Sequence, residues 1–172
     1  MELEKDMLLR DVEKYCALIK RYHETDVSKD AEFQRSFNGY YRMRQRKADF
    51  YQCFYAFLEQ QKGNKTLTFH EVLFYLYEHT GIITLSFSSK LLATVRPEMP
   101  VWDRFVLKNL NLKAPYYNDK NRLEKTEQVY QKICEWYRTE EAAETLKLFE
   151  RMLPDVPVSE VKKIDFILWK RR

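Results

Sequence analysis

Glycine is nearly absent from this sequence, with three in 172 residues, and proline numbers only five. Turns consume both residues, because glycine supplies positive φ and proline fixes φ in advance. A sandwich or barrel of many short strands would need far more of each. The scarcity therefore excludes most all-β folds and predicts long helices with few connections. Cysteine is as rare: Cys16, Cys53 and Cys134 are odd in number and far apart. Without a C-x-x-C pair they form neither a disulfide framework nor a zinc site. Each lies in an apolar-rich stretch, where cysteine acts as a small hydrophobe. There is no run of 18 apolar residues and no apolar segment of the signal-peptide kind near residue 1. The expectation is a protein of the reducing cytoplasm with no membrane contact.

Signatures of known chemistry are missing too. The sequence has no G-x-x-x-x-G-K-[ST], no G-x-G-x-x-G, no G-x-S-x-G and no H-E-x-x-H. His23, His70 and His79 are not at metal-ligand spacing, so neither a metal nor a cofactor is expected.

What is present is apolar and aromatic. Apolar residues make up 45%, which excludes a disordered chain. Aromatics reach 15%, and most of the 12 Tyr and 11 Phe fall in periodic stretches, which makes them packing residues first. Net charge is +4, which permits a nucleic-acid partner without demanding one.

Periodicity predicts an all-α fold of about eight helices in two small lobes of one domain, residues 1–172. The first helix spans about 3–22, with Leu8, Val12, Tyr15, Leu18, Ile19 and Tyr22 at three- and four-residue steps. Ser28 or Asp30 can cap the next helical region, 31–61, which Asn38-Gly39 can break. From residue 40 onward the pattern again reads as helix, with Phe50, Phe54, Phe57 and Leu58 on one face. Thr68 and Glu71 match a capping box, and Gly81 ends that helix. Further helices follow near 84–95, from Pro100 to Leu110, 121–137, 140–153 behind Thr139, and behind Ser159. "GIITLSF" at 81–87 is the one strand-like stretch. "KAPYYNDK" at 113–120 is the clearest loop and the expected divide between the lobes.

Two segments could carry function. "YYRMRQRK" at 40–47 interleaves two tyrosines with Arg42, Arg44, Arg46 and Lys47. On a helix 42 and 46 share a face, as do 40, 44 and 47, and such a stripe grips phosphates. The structural alternative is a solvated basic face over an aromatic core.

The second is "SFSSKLLATVRPEMPVWDRFV" at 86–106. Here "SSKLLATV" and "MPVWDRFVL" resemble the core of the helix-hairpin-helix DNA glycosylase superfamily. The resemblance covers residues 81–110 and implies a DNA-repair role with DNA as partner. In that superfamily a lysine on one helix and an aspartate opening the next carry the reaction. Carried over, Lys90 would be the Schiff-base nucleophile and Asp103 the essential carboxylate, as in a glycosylase/lyase, active or catalytically degenerate. Trp102, Tyr40 or Tyr41 would stack on the extruded base. The segment also looks like uncharacterised bacterial proteins sharing SFxSKLL and PxWD. The family hairpin is glycine-rich, whereas here only Gly81 precedes Lys90. The competing expectation is a non-enzymatic interaction module that keeps only the fold, its protein partner unspecified. There Lys90 is a surface lysine, Asp103 favours a helix dipole, and Trp102 is core.

Overall fold

The computed structural model describes residues 2–171. Among these residues the chain is all-α, with nine helices and no strand. They are α1 (Glu2–Glu24), α2 (Ala31–Tyr40), α3 (Ala48–Gln60), α4 (Phe69–Thr80), α5 (Leu85–Val95), α6 (Arg104–Asn109), α7 (Arg122–Trp136), α8 (Glu140–Met152) and α9 (Glu160–Lys170). "GIITLSF" forms no strand and instead leads into α5.

Two compact units divide the chain, Met1–Arg96 and Pro97–Arg172. The divide is thus not the 113–120 loop that the composition favoured. Pro97 disfavours helical backbone at Arg96 and so ends α5. Arg96 then turns back into the first unit, donating from Nη1 to the Leu67 carbonyl at 2.9 Å. Pro97 turns into the second, its carbonyl accepting from the Ser159 hydroxyl at 2.6 Å.

In the first unit α1 packs on α2, and α3 packs on α4 and α5. Its core is aromatic. Phe33, Phe37, Phe54 and Tyr55 are fully buried and meet at tilted or edge-to-face angles. These are the arrangements that ring quadrupoles favour. The Tyr55 hydroxyl finds a partner at the rim, donating to Asn38 Oδ1 at 2.5 Å.

Helix starts follow the sequence closely. Asp30 caps α2, its carboxylate accepting from Glu32 and Phe33 amides, and Arg21 binds the same group through two nitrogens. That pairing holds Asp30 well below the usual carboxylate range. Stability from it is present above an ordinary aspartate pKa and is lost on acidification below that. The Thr68–Glu71 capping box is complete, and Gly81 closes α4 at φ 70°, where a side chain would be strained.

In the second unit α8 packs on α9, and α6 packs on α9. Thr139 and Ser159 cap α8 and α9 through their hydroxyls. Helix α9 is buried at five consecutive positions, 164–168, so it is enclosed on nearly all sides.

Candidate nucleic-acid interface

The basic segment is not a helix. Helix α2 runs through Gly39 and ends at Tyr40, and α3 begins only at Ala48. Residues 41–47 form an irregular loop. Within it the chain alternates: Tyr41 and Met43 are buried, while Arg42 and Arg44 are exposed. Arg46 and Lys47 follow, both exposed. The alternation comes from a turn rather than a strand: Tyr41 closes α2 at φ −88° and ψ 2°, and Arg42 follows in the left-handed region.

The loop is pinned from several sides. The Met43 amide donates to the Asn38 carbonyl at 2.9 Å, and the Tyr51 hydroxyl donates to the Met43 carbonyl at 3.3 Å. Lys90 donates from Nζ to the Tyr41 carbonyl at 2.8 Å. Arg46 sets its guanidinium 5.2 Å from the Phe87 ring centre and 5.8 Å from that of Phe50. Arg42 and Gln45 adopt positive φ, 53° and 65°. A non-glycine residue there costs about 1–2 kcal/mol, and such conformations persist only where surrounding contacts impose them.

The result is four exposed cations on seven residues of chain. None of Arg42, Arg44, Arg46 and Lys47 forms an ion pair with a carboxylate among the described residues.

Lys90 lies in the first unit, on α5, and is only 7% exposed. Its ammonium binds the Tyr41 carbonyl and stands 5.4 Å from the Phe87 ring centre and 5.8 Å from that of Tyr41. It is thus a buried lysine clamping the basic loop, not a surface lysine.

Asp103 belongs to the second unit. Pro100 does not open a helix. Residues 101–103 are irregular, and Asp103 is the N-cap of α6, accepting from the Phe105 and Val106 amides at 2.7 and 3.2 Å. Asp103→Asn keeps a good cap and should change stability by only a few tenths of a kcal/mol. Asp103→Ala removes both acceptors and should cost about 1 kcal/mol. Chemical denaturation of the two variants tests this pair.

Trp102 is 3% exposed and Tyr41 4%, so neither ring is presented to a base, while Tyr40 is half-buried. Of the predicted site residues, the structure gathers Arg42, Arg44, Arg46 and Lys47 on one loop and adds Lys90 beneath it.

An open groove of about 580 Å³ between α1 and α2 is lined by Lys14, Lys20 and Arg21, but also by Glu24 and Glu32. Its charges are mixed, and Arg21 is committed to Asp30 and Glu32. On α9 the Lys162 ammonium lies 3.3 Å from Asp165, which also accepts from the Tyr137 hydroxyl. Both charged groups are sealed in the core, at 1% and 0% exposure, out of reach of a substrate. Among the described residues no group of His, Cys, Asp and Glu could hold a metal ion. No helix among them is long and apolar enough to cross a membrane.

Compared with known proteins, the chain matches no family model, no curated protein and no solved structure.

Proposed function

We propose that this protein binds the phosphate backbone of nucleic acid through the 41–47 loop. One observation carries the reading: four exposed cations without carboxylate partners, on a loop held in place by buried anchors. Holding the loop before binding reduces the ordering cost that a flexible basic tail would incur. Arginine favours phosphate because its planar fork can donate two parallel hydrogen bonds.

The reading is of a binding protein rather than a Schiff-base lyase. A nucleophilic amine needs its nitrogen free and facing substrate. The Lys90 nitrogen instead donates to a backbone carbonyl and has ring faces beside it, surroundings that complement a positive charge. A fold that uses Lys90 to brace the basic loop has a reason to keep that lysine without any catalysis.

Binding of a labelled oligonucleotide, followed by fluorescence anisotropy across salt concentrations, tests the proposal. Four phosphate contacts predict a slope of log K against log salt of about −3.6 on duplex. Arg42→Gln with Arg44→Gln should make that slope shallower by about 2, because each phosphate-bound cation contributes about one. Affinity at low salt should fall by roughly tenfold or more. Salt-insensitive binding, or a double variant that binds like the parent, would remove the reading. Both side chains are exposed, so the variants keep the core intact.

A further inference from the structure

The second unit carries another exposed feature, which the backbone reading does not use. Tyr116 and Tyr117 are 82% and 87% exposed, by far the most exposed large rings of the chain. They sit in the 110–121 segment that joins α6 to α7. Single exposed apolar side chains are ordinary. Two neighbouring rings, almost wholly in solvent, are a different matter.

Basic side chains flank them. Arg122 places its guanidinium 4.9 Å from the Tyr117 ring centre. Lys113 and Lys120 are exposed, and neither has a carboxylate partner among the described residues. The loop holds one acid, Asp119, and that acid is already occupied. It takes Lys125 Nζ at 2.6 Å and the Asn121 amide at 2.9 Å. The hydrogen bond from Lys125 holds it below the usual carboxylate range. Asp119 also ties the loop down through its backbone, its amide donating to the Tyr116 carbonyl and its carbonyl accepting from the Arg122 amide. The loop is therefore ordered by its acid and left positive at its rim.

We infer that the Tyr116–Tyr117 loop is a stacking platform for the bases of single-stranded nucleic acid. An aromatic ring in water offers a flat apolar face, and every base has a matching one, so stacking is tolerant of sequence. Arg122 fixes one side of the Tyr117 ring, and the flanking lysines meet the phosphates between bases. A duplex keeps its bases stacked on one another and cannot use these rings without unpairing. The inference rests on the reading that the chain binds nucleic acid, but it names a separate loop and a strand preference.

The test uses the full chain with three probes: oligothymidylate, a duplex of equal length, and polyphosphate, which has charge but no bases. The expected result is tighter binding of oligothymidylate than of duplex. Tyr116→Ser with Tyr117→Ser should weaken oligothymidylate by on the order of tenfold per ring. Its salt slope should stay unchanged, and so should polyphosphate binding. Tyr117→Phe keeps the ring and should bind like the parent. Arg42→Gln with Arg44→Gln should do the opposite, lowering the slope on all three probes. If the serine variant binds oligothymidylate as the parent does, the platform is wrong, while the basic-loop reading stands on its own slope. Equal loss on polyphosphate would also overturn it, by making the contact purely electrostatic. If no probe binds at all, both readings fall together.

Discussion

Lys162→Ala is expected to lower the free energy of unfolding by about 3–5 kcal/mol at neutral pH, because it strands a buried carboxylate. Lys162 and Asp165 lie one turn apart on α9, sealed from solvent, with 3.3 Å between ammonium and carboxylate. The Tyr137 hydroxyl donates to the other carboxylate oxygen. Without the ammonium, that hydroxyl must compensate the charge almost alone. Burial already raises the Asp165 pKa, against the lowering effects of Lys162 and Tyr137, and the Asp103 carboxylate raises it further. A raised carboxyl means that the folded state holds its proton more tightly than the unfolded state. Stability from this site therefore grows as pH falls from the folded pKa towards the ordinary value of 3.8. Asp30 behaves oppositely, since its carboxyl is lowered. The Lys162→Ala loss should accordingly shrink on acidification from pH 7 to 5. Lys162→Met with Asp165→Asn removes both charges, keeps an acceptor for Tyr137 and should recover most of the loss. Denaturant titration of the parent and both variants at the two pH values decides this. A loss under about 1 kcal/mol for Lys162→Ala would mean that water reaches the pair.

That pair also marks where the sequence stops being legible. "EVKKIDFILWK" has helical apolar spacing at 161, 164, 167 and 168; the last three are buried, while Val161 is half-buried. Nothing in the letters says that Lys162 and Asp165 follow them inward. A buried ion pair and an exposed i,i+3 pair read identically, because only tertiary packing tells them apart. Caps were the opposite case. Thr68, Glu71, Gly81, Thr139 and Ser159 act within one turn of chain, and each does what its local spacing predicts. The basic segment reads as helix because Arg, Lys, Gln and Met all favour it, yet the chain forms a loop there. Burial of Tyr41 and Met43 on either side of the left-handed Arg42 overrode that preference. Asp103 was expected inside a helix opened by Pro100, yet a carboxylate that can satisfy two amides is a better cap than a first-turn charge. The rings at 116 and 117 were placed in the right loop, but exposure is invisible in composition.

Lys90→Ala should be nearly as damaging as Lys162→Ala, and for a reason that separates architecture from catalysis. The substitution deletes a charge-assisted hydrogen bond to Tyr41, worth about 1.5–3 kcal/mol, and leaves a void where the buried stem lay. A combined loss of about 3–4 kcal/mol corresponds to roughly 10 °C in Tm for a chain of this size. Lys90→Met keeps most of the stem volume and should lose less, about 2 kcal/mol, since the apolar packing stays while the ammonium's contacts with the Tyr41 carbonyl and the two rings go. Both variants also release the Tyr41 carbonyl, which anchors the 41–47 loop. Nucleic-acid affinity should therefore fall in Lys90→Met even though no exposed cation is removed, while the salt slope stays close to the parent value. A nucleophile makes the contrary forecast: unchanged stability, unchanged binding, and a covalent adduct with an abasic-site duplex under borohydride that vanishes in Lys90→Met. The geometry predicts no adduct from the parent, because an amine bonded to a carbonyl in the core would have to leave that bond, and free the loop, before it could reach a sugar. A Lys90-dependent adduct would show that it does leave, and the glycosylase-like chemistry would then displace the brace as the reason for this lysine.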